Sequence, residues 1–222
     1  FSDVGEKVNL FDPTFLENIS KMKEKNLAVE MLKKLIDEQV KVYKRTNLVK
    51  SEAFSELIQQ TLNRYLNEML TNEEVIQELL KLAKEMLHAS EEGNKLGLTD
   101  EELAFYDALT KPEAVKDFYS NEDLVALTKE LTETLRKNKT IDWQKKESAR
   151  AKMRMIVKKL LKKYKYPPEG QEDALKTIIS QCEMWTDNII DISDVSKNSF
   201  EYELNAEEGL LMVAEPNTKH EI

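Results

Sequence analysis

The chain has 222 residues, a formal net charge of −9, 41% hydrophobic and 34% charged side chains, five glycines, five prolines and one cysteine. Scarce Gly and Pro with abundant Leu, Lys and Glu favour helices over a turn-rich β fold, and the length suffices for one sizeable core or two small ones. No stretch approaches the roughly 20 apolar residues that cross a bilayer, no signal peptide is visible, and the negative balance disfavours nonspecific DNA binding by the surface as a whole, though not by a local basic patch.

Residues 1–25 read as a linker and a short helix. Asp12-Pro13 is a helix start with proline at the first helical position, and that helix is expected to end near Lys23. The next helix covers roughly 26–45, with Ala28, Met31, Leu32 and Leu35 inward. A third covers roughly 51–70, with a stripe of Phe54, Leu57, Ile58, Thr61, Leu62, Tyr65, Leu66 and Met69. Thr71-x-x-Glu74 is a capping box, in which hydroxyl and carboxylate each satisfy an orphan amide. It opens a helix carrying Val75, Ile76, Leu79, Leu80, Ala83, Met86 and Leu87, with Gly93 as its expected stop. Thr99-x-x-Glu102 is a second capping box and opens a short helix at 101–109. Lys111-Pro112 breaks it, and the residues from there to Tyr119 are compatible with a short turn of helix.

Asn121 is the expected cap of a helix to about Lys139, with Leu124, Leu127, Leu131 and Leu135 on one side. From Ile141 to Glu169 runs a strongly basic stretch. Met153, Ile156, Val157, Leu160, Leu161 and Tyr164 form one apolar stripe in it, and Lys145, Lys152, Arg154, Lys158, Lys159, Lys162, Lys163 and Lys165 fall on the remaining surface. Asp142 is its expected cap and Pro167-Pro168 its expected stop. A last helix, about 171–190, turns Leu175, Ile178, Ile179, Cys182, Trp185 and Ile189 inward. The reading is all-α, a bundle of about eight to nine helices with a helical domain at 26–190.

Residues 191–222 form an acidic tail in which Asp191, Asp194, Glu201, Glu203, Glu207, Glu208, Glu215 and Glu221 face only Lys197 and Lys219. Phe200, Tyr202 and Leu204 alternate with acidic neighbours, and Leu210 to Ala214 fits a second short strand. A docked β-hairpin and an irregular acidic segment both fit. The chain begins at Phe1 rather than Met and reads as a fragment of something longer.

Catalytic patterns are lacking. There is no Gly-rich phosphate loop. His88 and His220 have no cysteine or histidine at metal-ligand spacing. The pairs Glu73/Glu74 and Glu101/Glu102 occupy first turns, where the helix dipole favours them. Cys182 cannot form an internal disulfide and falls in an apolar stripe, a buried thiol compatible with a reducing, cytoplasmic setting. The basic helix is the one positive signal. A solvated face, or one paired with the acidic tail, is the plain reading, and phosphate contact is the functional one. Met155, projecting among the charges, hints instead at a protein interface.

GLTDEELAFYDAL at 97–109, EEVIQELLKLAKEM at 73–86, IDW at 141–143 and KKLLKKYKYPPE at 158–169 belong together as one set. The set and its order along the chain resemble the C-terminal helical region of the restriction (R) subunit of type I restriction enzymes, and NLAVEMLKKLIDEQV at 26–40 and FSELIQQTLNRYLN at 54–67 fit the part of that region upstream of the signature. The resemblance covers roughly 26–185. It implies a parent that is an ATP-dependent, site-specific deoxyribonuclease using ATP and Mg in upstream nuclease and motor domains, with no cofactor and no catalytic residue in this fragment. It implies a non-catalytic assembly domain that docks the nuclease and translocase onto a methyltransferase core of modification and specificity subunits. That domain would lie next to the motor domains of its own chain, with a contact to duplex DNA compatible with its position. The alternative is a helical interaction scaffold unrelated to restriction. Candidate contacts to DNA or partner are Lys145, Lys152, Arg154, Lys158, Lys159, Lys162 and Lys163. The signature residues receive structural roles: Phe105 and Tyr106 packed, Asp107 binding a backbone amide or a lysine, Trp143 anchoring the start of the basic helix, and Pro167 ending it.

Overall fold

The computed structural model describes residues 10–111, 115, 119–138, 143 and 145–186. Among these there are eight helices and no strand: α1 (Pro13–Lys21), α2 (Lys25–Thr46), α3 (Leu48–Leu66), α4 (Asn72–Leu96), α5 (Asp100–Thr110), α6 (Asn121–Asn138), α7 (Glu147–Lys163) and α8 (168–186). The all-α reading therefore holds. Two compact units divide the chain, Phe1–Trp185 and Thr186–Ile222. The expected tail strands, His220, Ile189, the Asp142 cap and most of the turn before Tyr119 lie outside the described residues.

Local chemistry sets most boundaries. The Asp12 carboxylate accepts from the Thr14 amide at 2.9 Å and caps α1. Both capping boxes close in the expected way. The Thr71 amide donates to Glu74 Oε2 at 2.8 Å while the Glu74 amide donates to Thr71 Oγ1 at 3.3 Å, and Thr99 with Glu102 repeats both distances. Two starts differ from expectation. Helix α3 begins at Leu48, because the Asn47 side chain accepts from the Lys50 amide at 3.1 Å and caps it. Helix α6 is capped by Ser120 rather than Asn121, since Ser120 Oγ accepts from the Asp123 amide at 3.3 Å.

The helix stops are also corrected. Gly93 lies inside α4, buried against the next helix; a Cβ there would meet Leu103 Cδ2 at 3.2 Å and the Leu98 carbonyl at 3.3 Å. The stop is Gly97, at φ 62°, with the Leu98 amide bonded to the Gly93 carbonyl at 2.9 Å and the Gly97 amide to the Asn94 carbonyl at 3.3 Å. This is the Schellman closure. Helices α3 and α7 end the same way without glycine, on Glu68 at φ 57° and Lys165 at φ 56°. The Met69 amide reaches the Arg64 carbonyl at 2.9 Å and the Tyr166 amide reaches the Leu161 carbonyl at 2.8 Å. Pro167 is thus not the stop of α7. Pro168 instead takes the first helical position of α8, where a missing N–H costs nothing.

Two hydrophobic cores form within the first unit. One gathers Leu10, Ile19 and the inner faces of α2, α3 and α4. The other gathers α5, α6, α7 and α8 with Val115 and Trp143. The α3 stripe is narrower than read: Leu57, Leu66 and Met69 are exposed, while Phe54 and Ile58 are buried. At about 100° per residue, Phe54, Ile58 and Tyr65 share one arc, Leu57 and Leu66 flank it, and Met69 lies past the helix end.

Helix α5 sits between the cores and packs on α2, α3, α4 and α6. Every residue from Leu103 to Thr110 is buried. Phe105 meets Trp185 edge to face at 4.9 Å. The Leu109 carbonyl accepts from the Tyr166 hydroxyl at 2.6 Å. The Tyr106 hydroxyl reaches Asn121 Oδ1 at 3.5 Å, the outer limit of a hydrogen bond. Asp107 finds a lysine, as one reading expected. Its carboxylate accepts from Asn47 Nδ2 at 2.6 Å and lies 3.4 Å from Lys50 Nζ, which also donates to the Ala89 carbonyl at 2.6 Å. Burial pushes the Asp107 carboxyl above its ordinary range, against the opposing pull of Lys50 and Asn47. Beside this group, Gln181 is fully buried and binds both sides of the α2–α3 elbow. It donates to the Thr46 carbonyl at 3.0 Å and accepts from the Leu48 amide at 2.7 Å. Trp185 Nε1 donates to the same carbonyl at 3.1 Å. A polar seam thereby joins the two cores.

Candidate interaction surface

Helices α7 and α8 form an antiparallel hairpin. Arg150 pairs with Glu183 at 2.7 Å and Lys158 with Glu172 at 2.9 Å, so rising numbers on one helix meet falling numbers on the other. The apolar stripe of α7 faces inward as expected. Met153, Val157, Leu160 and Leu161 are buried, and Ile156 and Tyr164 pack partly against the same core. Each fully buried apolar side chain contributes about 1.5–3 kcal/mol, whereas an exposed ion pair contributes about 0–1 kcal/mol. The stripe therefore holds the helix, and the exposed charges on its outer side contribute little to folding. Trp143 is fully buried in this core, so it anchors the region and does not present a ring to solvent.

The seven candidate cations divide into two groups. Arg154 pairs with Glu147 at 3.2 Å, Lys158 with Glu172, and Lys163 with Glu130 at 2.6 Å. The last pair is reinforced by the Tyr164 hydroxyl, which donates to Glu130 at 2.7 Å, and by Lys163 lying 5.3 Å from the Tyr164 ring centroid. Hydrogen bonds from Lys163 and Tyr164 hold the Glu130 carboxyl below its ordinary range. The Tyr164 hydroxyl is in turn raised, first by its bond to Glu130 and then by burial. Lys145, Lys152, Lys159 and Lys162 are exposed and make no ion pair among the described residues.

Between the two helices runs an open groove of about 920 Å³. Helix α7 lines it with Arg150, Ala151, Arg154, Met155, Lys158, Lys159 and Lys162, and α8 with Glu172, Asp173, Leu175, Lys176, Ile179, Ser180 and Glu183. Met155 is 52% exposed. The α7 side coincides with the basic stretch legible in the sequence, whereas the α8 side was missed. Its signal is the charged outer face of Glu172, Asp173 and Lys176, set beside the inward Leu175 and Ile179. A second groove, also about 920 Å³, lies over the seam and is lined by Lys50, Glu92, Tyr106, Asp107, Thr110 and Asn121 among others. Lys145 and Lys152 do not line either groove.

Among the described residues no group of His, Cys, Asp and Glu could hold a metal ion, and no helix is long and apolar enough to cross a membrane. His88 is not buried, and Cys182 is.

Comparison with known proteins gives one family match and two curated relatives. Residues 3–188 match the family model described as "Type I restriction enzyme HindI endonuclease subunit-like, C-terminal". The chain is 42% identical over 177 residues to the "Type I restriction enzyme HindI endonuclease subunit" of Haemophilus influenzae, covering 80% of this chain and 17% of that protein. It is 32% identical over 158 residues to a Methanocaldococcus jannaschii protein named "Putative type I restriction enzyme MjaIXP endonuclease subunit", covering 71% of this chain and 15% of that one. The chain thus spans less than a fifth of the length of these curated relatives. No solved structure matches it.

Proposed function

This chain belongs to the family of C-terminal regions of HindI-like type I restriction endonuclease subunits, and from that premise we propose that it is a non-catalytic assembly module. It docks the nuclease and ATP-driven translocase of its parent subunit onto a methyltransferase core of modification and specificity subunits, in the cytoplasm. Family membership removes the reading of a scaffold unrelated to restriction. ATP and Mg act in the parent's other domains. The observation that carries the proposal is the outer face of the α7–α8 hairpin. There an exposed methionine, and cations without ion pairs among the described residues, stand on a frame held chiefly by its buried apolar stripe. The test is co-purification of the chain with the assembled core. A stable complex at micromolar concentration supports docking; no association at any ratio refutes it.

Duplex DNA is a second reading, favoured by the exposed lysines Lys152, Lys159 and Lys162 on one helix. It predicts weak binding whose logarithm falls with the logarithm of salt at a slope of about −0.9 per phosphate neutralised. Changing these three residues to Glu should abolish that binding. Binding indifferent to salt would exclude the reading.

A further inference from the structure

The α7–α8 groove combines three features that restrict what fits it. Its floor is apolar: Met155 is 52% exposed there, beside exposed Ala151 and the aliphatic stems of the lining cations, over the buried Leu175 and Ile179. Its rim is cationic: Lys159, Lys162 and Lys176 make no ion pair among the described residues. Its length is set by the lining residues of α7, which run from Arg150 to Lys162, about 18 Å or three helical turns at 1.5 Å per residue.

Phosphates fit this groove poorly. A polyanion gains nothing from the exposed Met155, which stands among the cations of the lining. An apolar stripe flanked by carboxylates meets every feature. Its apolar side chains cover the floor at i, i+3, i+4 and i+7 spacing, and its carboxylates meet the rim. We propose that the groove receives an acidic amphipathic helix of about three turns, supplied by the methyltransferase core. This rests on the docking reading above and names the surface and the chemistry of the contact.

The experiment uses the full chain and purified methyltransferase core, with a 20-base-pair duplex as a separate analyte, in a surface-binding assay. Three variants are compared: Lys159→Glu/Lys162→Glu/Lys176→Glu, Met155→Asp, and the conservative Met155→Leu. All four positions are exposed, and far-UV circular dichroism and thermal melting confirm that each variant folds. The charge-reversed and Met155→Asp variants should each bind the core about tenfold more weakly or worse, with Met155→Leu close to the unchanged chain. A benzophenone side chain placed at position 155 should cross-link to an acidic helical peptide of the core, identified by mass spectrometry. Full binding by both disruptive variants overturns the groove and leaves docking standing. No binding by the unchanged chain overturns both. Loss on charge reversal alone, with salt-dependent duplex binding lost in the same variant, makes the groove a phosphate site and overturns the acidic helix.

Discussion

Around the first core five large apolar side chains stand in solvent: Leu27, Val42, Leu57, Leu66 and Met69. Around the second only Met155 does so among the described residues. The first core is built from amphipathic helices whose apolar arcs are wider, or whose ends reach further, than the space they fill. Single exposed leucines of this kind are ordinary on a protein surface. The second core contains α5, buried without interruption from Leu103 to Thr110, and concentrates cations on one outward ridge. An apolar residue inside that ridge is the exception. Context, rather than exposure alone, separates a candidate contact from leftover surface.

The contrast can be broken at the seam. Lys50→Met removes one partner of a buried ion pair and leaves the Asp107 charge with Asn47 alone, which should cost about 3 kcal/mol. Both tryptophans, Trp143 and Trp185, report on the second core. Uncoupled halves would therefore show fluorescence and far-UV circular dichroism transitions at different urea concentrations, where the unchanged chain shows one midpoint. Gln181→Ala should cost about 2 kcal/mol in the same urea titration, because it leaves the Leu48 amide unpaired and the Thr46 carbonyl with Trp185 alone.

A smaller drift is expected with pH. The folded Asp107 carboxyl titrates above its ordinary value of 3.8. Its favourable contribution is present below that value and is lost as pH rises through the raised folded value. Melting temperatures of the unchanged chain should therefore fall relative to Asp107→Asn as pH increases from about 4 towards neutrality. A difference constant with pH would show that burial does not govern this carboxyl. Least in size, Lys165→Gly and Glu68→Gly should each stabilise by up to about 1 kcal/mol, because glycine adopts the left-handed closure without the Cβ penalty. Gly97→Ala should do the reverse, and thermal melting resolves all three.

Local features are legible in the sequence. The capping boxes at Thr71 and Thr99 and the α7 stripe each depend on residues within a turn or two of one another. The family signature at 97–109 is legible too, but not its structural role: α5 belongs to the second core and packs against α2, α3 and α4 of the first. What stays hidden depends on partners far along the chain. Lys50 looks like one more surface lysine until Asp107 is placed 3.4 Å from it. Two glycines, Gly93 and Gly97, are equally good stops by composition, and the packing of Leu103 against Gly93 decides between them. Pro167 looks like a terminator because an α7 stop on a lysine carries no local mark.

The Gln181 clasp also has a kinetic consequence. It spans 135 residues to Thr46, so it closes one of the longest loops in the fold. Such a closure gains nothing until both cores have condensed, so its bonds are expected to form after the folding transition state. Gln181→Ala should accelerate unfolding while leaving the refolding limb of a chevron plot almost unmoved. The clasp would then set how long the module holds its shape more than how fast it acquires it. For a module proposed to work beside a translocating motor, that lifetime is the relevant quantity.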